Sequence, residues 1–132
     1  MRLDGMKFNA QTGEQNGSYL ADAVPAINNQ EGYFFVGGNL RATNLSSNAV
    51  DWTFTGDGHL VTSPIIVNQY VIVGSSTGNV YALDGTNVNI VWQSNVGAAI
   101  PSAPGAGSPI SLSGLSAGDG MLIIPAGSTV TA

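Results

Sequence analysis

The chain has no cysteine, a single histidine and only three basic residues, Arg2, Lys7 and Arg41, against eight acidic ones. Without thiols, neither a disulfide framework nor a thiolate metal site can be built. Three scattered cations do not make the Lys/Arg cluster that phosphate binding requires. Nucleic acid is therefore excluded as a partner, and so is a polybasic membrane anchor. Long hydrophobic runs are missing as well. The longest are four residues, as in Tyr33-Phe34-Phe35-Val36 and Tyr70-Val71-Ile72-Val73, far short of the ~20 residues of a membrane-spanning helix. Met1–Gly5 carries no apolar segment of the secretory-signal type.

Charge is scarce overall. Charged residues make up 8% of the chain and hydrophobic ones 43%, too apolar for a disordered chain and too poor in Glu, Lys and Arg to clothe helices. What is abundant instead is glycine, at 18 residues, with recurrent Val, Ile and Thr. These are turn formers and strand formers. The expectation is an all-β fold with a buried core, within the size of one ordinary domain.

The order of the chain is repetitive, and a period of this kind decides the architecture. Gly38-Asn39-Leu40-Arg41-Ala42-Thr43-Asn44 lies parallel to Gly78-Asn79-Val80-Tyr81-Ala82-Leu83-Asp84, and the two tryptophans, Trp52 and Trp92, follow at the same point of each copy, 40 residues apart. Upstream, Pro25-Ala26-Ile27 with Tyr33–Gly37 parallels Pro64-Ile65-Ile66 with Tyr70–Gly74. A third copy starts at Ile100-Pro101-Ser102 and resumes at Met121-Leu122-Ile123-Ile124, with Ala132 in the place of Ala42 and Ala82. Between them, residues 101–120 are mostly Pro, Gly, Ser and Ala, a composition that reads as a long loop unable to form a strand pair of its own. Asn9–Glu14 fits as the tail of a preceding copy, in which Gly17 stands where Trp is expected. The reading divides the chain into the end of one unit (about 1–17), two whole units (18–57 and 58–97) and a partial one (98–132).

Within the better copy, four β-rich segments are separated by turn signals: Val61–Val67, Tyr70–Gly74, Asn79–Asp84 and Ile90–Val96. Connections this short allow only antiparallel neighbours. The second segment is continuously apolar, as an inner strand covered on both faces should be. Four strands in about 40 residues match a β-propeller blade. Helical repeats of similar period are excluded by the density of Gly, Pro and β-branched residues. A β-sandwich with similar halves is the remaining alternative. The expected fold is thus all-β, with stacked four-stranded antiparallel sheets forming an incomplete propeller.

The spacing Ala-x-Asp-x-x-Thr-Gly-x-x-x-Trp resembles the docking motif of quinoprotein (PQQ)-type propeller repeats. Ala82, Asp84 and Trp92 match it, with Asn87-Val88 in place of Thr-Gly. Ala42 and Trp52 match in the middle copy, where Asn44 stands for Asp and Ser47-Asn48 for Thr-Gly. Only Thr12 and Gly13 match in the first. The resemblance covers roughly residues 7–132. It implies that each Trp docks between neighbouring blades while each Ala leaves room for the ring.

Chemistry-bearing patterns are sparse. His59 in Thr55-Gly56-Asp57-Gly58-His59 offers, with Asp57, half of a metal site or half of an acid/base pair, and a solvent-exposed loop histidine is the simpler reading. Asp84–Asn89 has alternating oxygen ligands but lacks the distal Glu of an EF-hand loop, so a corner turn is favoured in which Asp84 and Asn87 bond the backbone. Gly37-Gly38 and Gly105-Ala106-Gly107 precede neither a helix nor a Lys and are not phosphate loops. Enzymes of the resembled family bind PQQ with a metal ion, using a disulfide and a cluster of acidic residues; this chain has no cysteine and shows no such cluster. No catalytic, cofactor-binding or metal residue is assigned, and no cofactor is expected.

The functional expectation is a non-enzymatic scaffold or protein-interaction module of a larger or self-associating propeller, in a periplasmic or extracellular setting. Non-catalytic members of the resembled family include a lipoprotein scaffold of outer-membrane barrel assembly. The alternatives are a fragment of a quinoprotein dehydrogenase-like enzyme and a surface carbohydrate-binding module, the latter disfavoured because residues 101–120 hold no aromatic side chain.

Overall fold

The computed structural model describes residues 3–102, 114–127 and 129–131, and every regular element among them is a β-strand. The strands fall into four sheets in chain order. The first holds β1 (Leu3–Phe8) and β2 (Gln15–Ala21), and the second β3 (Ala26–Ile27), β4 (Glu31–Val36), β5 (Asn39–Asn44) and β6 (Val50–Phe54). The third holds β7 (Ile65–Val67), β8 (Tyr70–Gly74), β9 (Asn79–Asp84) and β10 (Ile90–Asn95), and the fourth β11 (Ser116–Gly118), β12 (Met121–Ala126) and β13 (Thr129–Thr131). Within each sheet, strands adjacent in sequence pair antiparallel. This is the expected all-β architecture of stacked four-stranded antiparallel blades, an incomplete β-propeller.

The sheets stack face to face because their inner strands are apolar on both sides. On β8, Val71 and Val73 pack toward the second sheet with Tyr33, Phe35 and Leu40, whereas Ile72 packs toward the fourth with Ile100, Leu115 and Ile124. On β9, Tyr81 and Leu83 point to the second sheet and Val80 and Ala82 to the fourth. On β4, Phe34 and Val36 face the first sheet, where they meet Ala21 and Tyr19. Period-2 alternation thus supplies two cores from one strand. Each Val, Leu or Ile so buried contributes about 1.5–3 kcal/mol.

Three sequence expectations need correction. The presumed loop 101–120 contains a strand: β11 pairs with β12 through Ser116↔Ile123, Ala117↔Leu122 and Gly118↔Met121. Backbone groups make that ladder, so small side chains do not forbid it, and buried Leu115 anchors its entry. Residues 103–113 and Ala132 lie outside the described residues. The expected unit boundary at 17/18 falls inside β2, which pairs along Leu3↔Ala21 to Phe8↔Gln15 and so belongs to the first sheet. Finally, the upstream parallel is out of step by two residues. Tyr33 pairs with Ala42 and Ile72 with Ala82, so the counterpart of Tyr33 is Ile72, while Tyr70 corresponds to Glu31. A two-residue slip leaves every side chain on its proper face, so hydrophobic patterning cannot detect it.

Candidate functional site

The chemistry of the chain is concentrated at the seams between sheets. Trp52 on β6 stands opposite Ala42 on β5, whose exposure is 0%, and the indole is itself 9% exposed. Its Nε1 donates to the carbonyl oxygen of Gly85 at 3.0 Å, in the corner after β9 of the next sheet. The ring of Tyr33 packs beside it, with centroids 5.8 Å apart. The Tyr33 hydroxyl shares its proton between Glu31 Oε2 at 2.7 Å and the same Gly85 oxygen at 3.2 Å, and accepts from Asn28 Nδ2 at 3.4 Å. Burial, then the adjacent Glu31 carboxylate, pushes the Tyr33 phenol above the usual phenol range, so it remains a donor. One carbonyl therefore ties two aromatic side chains across the seam.

Gly85 is a glycine for reasons of space. A Cβ there would lie 2.5 Å from the Tyr33 hydroxyl oxygen and 3.1 Å from the Gln69 carbonyl, which accepts from the Gly85 amide at 3.0 Å. The first seam is built differently. Gly17, opposite Lys7, holds the position of Trp52, and the counterpart of Gly85 is Leu45, whose amide donates to Gln30 O at 2.9 Å. That seam closes through Tyr19 against Phe34, 5.4 Å between centroids, and through Lys7 Nζ donating to Asn48 Oδ1 at 3.0 Å.

The third seam departs from expectation. Trp92 pairs opposite Ala82 in the register of Trp52 and Ala42, yet it is 41% exposed. It lines an open groove of about 530 Å³ with Ile66, Tyr70, Ile72, Met121 and Leu122. The expectation that each indole wedges against the next sheet thus holds for Trp52 and fails for Trp92. Trp52 is closed over by a corner between third and fourth strands, whereas among the described residues the fourth sheet ends with its third strand, β13.

A polar cluster centres on Asp57. Its Oδ2 accepts from Ser75 Oγ at 2.7 Å, from Asn79 Nδ2 at 2.9 Å and from Thr77 Oγ1, and its Oδ1 accepts from the His59 amide at 3.0 Å. Partial burial alone would raise this carboxyl. The donations from Thr77, Ser75, Asn79 and His59 outweigh it and hold Asp57 well below the usual carboxylate range. Asp57 thereby fastens the β6–β7 loop to the β8–β9 turn.

The residues singled out in the sequence do not converge on a reactive centre. His59 is exposed, and its Nδ1 lies 2.9 Å from the Asp57 carbonyl, not the carboxylate. Asp84 Oδ1 accepts from the Thr86 amide at 2.8 Å and hydroxyl at 2.6 Å, which lowers its pKa, and Asn87 Oδ1 accepts from the Asn89 amide at 3.1 Å. These oxygens are spent on a corner turn of the kind expected. Gly37 and Gly38, at φ 58° and 78°, form a two-residue hairpin turn between β4 and β5. Gly105-Ala106-Gly107 lies outside the described residues. Among the described residues, no three His, Asp or Glu side chains stand together as a metal site. Sequence reasoning missed Tyr33, Gly85 and the Asp57 cluster. The one legible hint was a glycine after Asp84 at a corner whose sister copy has leucine.

No family model and no curated protein matches this sequence. Among solved structures, the chain is similar to BamB from Moraxella catarrhalis, with a TM-score of 0.68 at 16% identity. The match covers 92% of this chain and 36% of that one, so the chain spans about a third of that protein's length. The likeness establishes the fold as propeller-type. Among the described residues, no helix is long and apolar enough to cross a membrane.

Proposed function

We propose that this chain is a non-catalytic propeller-repeat segment of quinoprotein type, whose role is to present sheet faces to protein partners or to further blades. The observation that carries the reading is the contrast between its satisfied polar groups and its uncovered apolar ones. Asp57, Asp84, Tyr33 and Trp52 are all committed to fastening strands and sheets. Met6 and Phe8 on one outer sheet, and Trp92 and Met121 at the groove beside the other, are 63%, 57%, 41% and 54% exposed. Large apolar side chains gathered at the two ends of a stack mark contact surfaces. The propeller likeness to BamB supports a protein-binding role, and the low content of Lys and Arg with abundant Gly, Ser, Thr and Asn supports an extracytoplasmic setting.

The division into the end of one blade, two whole blades and a partial fourth belongs to the same proposal. Photo-crosslinking residues placed at positions 8 and 121, with position 47 in a polar turn as control, test it in a periplasmic expression host. Protein adducts of discrete mass at 8 and 121 but not at 47 are expected. Equal labelling at all three positions overturns the reading. So does stoichiometric uptake of pyrroloquinoline quinone with calcium, measured by calorimetry on the purified chain.

A further inference from the structure

The first and second seams can be compared position by position on third and fourth strands, which the first, second and third sheets all possess. At the second seam, aromatic and aliphatic side chains close the space: Trp52 and Phe54 from the second sheet, Tyr81 and Leu83 from the third. Phe54 and Tyr81 meet edge to face, with 5.2 Å between centroids. The pairings Lys7↔Gly17, Ala42↔Trp52 and Ala82↔Trp92 put Gly17, Tyr19, Arg41 and Thr43 in the corresponding places at the first seam. Bulk is lost where Gly replaces Trp, and polarity enters where Arg replaces Tyr and Thr replaces Leu. Lys7 in turn stands where the later sheets have Ala42 and Ala82. A Cβ at Gly17 would lie 3.6 Å from Lys7 Cδ, so the lysine stem lies over the glycine that replaces the indole.

These exchanges leave an open cleft of about 220 Å³, lined by Lys7 from one sheet and Arg41 from the other. They are two of the three basic residues in a chain of net charge −5, and no Asp or Glu is among the described residues that line the cleft. Lys7 Nζ is fixed by Asn48 Oδ1 at 3.0 Å and keeps further N–H donors. Arg41 is exposed and makes no hydrogen bond or ion pair among the described residues. Phe34 and Val36, buried together with Ala21, and Val50 give the cleft an apolar wall. Two cations without a carboxylate beside an apolar wall suit an anion carried on an apolar stem. A bare phosphate leaves that wall unused, and a neutral side chain leaves the cations unused. The volume, about 220 Å³, is below the roughly 300–1,000 Å³ of sites for drug-sized ligands and holds one side chain or chain end.

We infer that this cleft takes a carboxylate of a protein partner, from a Glu or Asp side chain or from a chain end, with the Arg41 guanidinium as bidentate donor and the Lys7 ammonium as second charge. The inference rests on the reading of the chain as an interaction module and names the chemistry of its partner at one seam.

Nuclear magnetic resonance titration of the purified chain tests it with four probes at matched ionic strength. They are acetyl-Gly-Glu-Leu-Gly-amide, acetyl-Gly-Gly-Leu with a free carboxyl end, acetyl-Gly-Gln-Leu-Gly-amide and inorganic phosphate. Saturable shifts at the amides of Lys7, Arg41, Thr43 and Asn48 are expected with at least one of the two carboxylate peptides, and the tighter of them identifies the source. Arg41→Gln and Lys7→Gln should each weaken that binding about tenfold or more, the effect of losing a charged hydrogen bond. Strand content and melting should not change in Arg41→Gln, because no other described residue leans on that side chain. In wild type the affinity should fall as ionic strength rises, a readout that needs no variant. Carboxylate peptides that leave these amides unmoved overturn the inference. So does a glutamine peptide or phosphate that binds as well as they do, or an Arg41→Gln variant that binds like wild type. Failure of the peptides with the adducts at positions 8 and 121 retained sinks the cleft alone, and loss of those adducts with peptide binding intact sinks the crosslinked surfaces alone.

Discussion

Trp52 and Trp92 sit at one register position, each opposite a buried alanine, and differ in exposure by 9% against 41%. The residue type, its register position and the alanine opposite are the same in both cases. What differs is the surroundings: Tyr33 of the same sheet and Gly85 of the next at one seam, and at the other an open groove in which Ile72 takes the place of Tyr33. Docking of the indole is therefore a property of the seam and not of the tryptophan. The largest expected effect follows from that asymmetry. Trp52→Ala should lose about 3–5 kcal/mol, the range for truncating a buried aromatic. Trp92→Ala should lose about 1–2 kcal/mol, because part of its surface already meets water. Urea unfolding of both variants decides the matter, and equal losses would break the comparison.

Gly85→Ala sharpens it from the other side of the seam. The added methyl meets the Tyr33 hydroxyl at 2.5 Å, and overpacking of this kind costs about 1–3 kcal/mol. Introducing Tyr33→Phe first removes the clashing atom, so the same substitution should then be markedly cheaper. A double-mutant cycle should report coupling between positions 33 and 85 beyond ~0.5 kcal/mol. Additive losses would mean that Gly85 answers to its backbone or to Gln69 and not to the aromatic pair.

How much of this was legible beforehand depends on the physical origin of each feature. The period, the turns and the inner strand Tyr70–Gly74 were readable because they rest on local chemistry: alternation, glycine and Asx residues. The matched positions of Ala42 and Ala82 beside Trp52 and Trp92 were readable because the spacing repeats. The two-residue slip at Tyr33 was not, since it preserves which face each side chain occupies. Nor was β11, whose Ser-Ala-Gly sequence pairs through backbone alone. The Gly85 tie and the Asp57 cluster join residues distant in sequence, Trp52 with Gly85 and Asp57 with Asn79. No local pattern announces such partnerships. The exposure of Trp92 depends on what covers the fourth sheet, which the repeat motif alone does not specify.

Asp57 extends the comparison to the loops that hold the third sheet beneath the seam. Asp57→Ala strands the donors of Ser75, Thr77 and Asn79, partly open to water, and should cost about 1–1.5 kcal/mol. The acid limb carries a signed signature. Because the folded-state value of Asp57 is depressed below the ordinary carboxylate value of about 3.9, its contribution is complete above that pH. It is lost as pH falls through the lower, folded-state value. The stability gap between wild type and Asp57→Asn should therefore be constant at neutral pH and narrow once the pH drops below about 4. A gap that narrows on raising the pH instead would contradict the hydrogen-bonded carboxylate.

The smallest effect concerns the corner that carries Gly85 itself. Gly13, Asn48 and Val88 occupy one position in three successive copies, at φ 73°, 58° and 62°. Glycine and asparagine tolerate that left-handed conformation, whereas a β-branched residue is strained there by about 1–2 kcal/mol. Val88 also packs part of its side chain against the seam core, which offsets some of the strain. Val88→Asn should accordingly stabilise the chain by only about 0.5 kcal/mol, the backbone relief slightly exceeding the lost packing. Thermal melting compared with Asn48→Val in a Lys7→Ala background, where the hydrogen bond from Lys7 to Asn48 is already gone, separates the two contributions; there Asn48→Val is expected to lose about 1 kcal/mol, at an exposed corner with less packing to compensate. If Val88→Asn destabilises as much as Asn48→Val does, the packing of Val88 under the seam matters more than its backbone, and this corner is held from the Trp52 side.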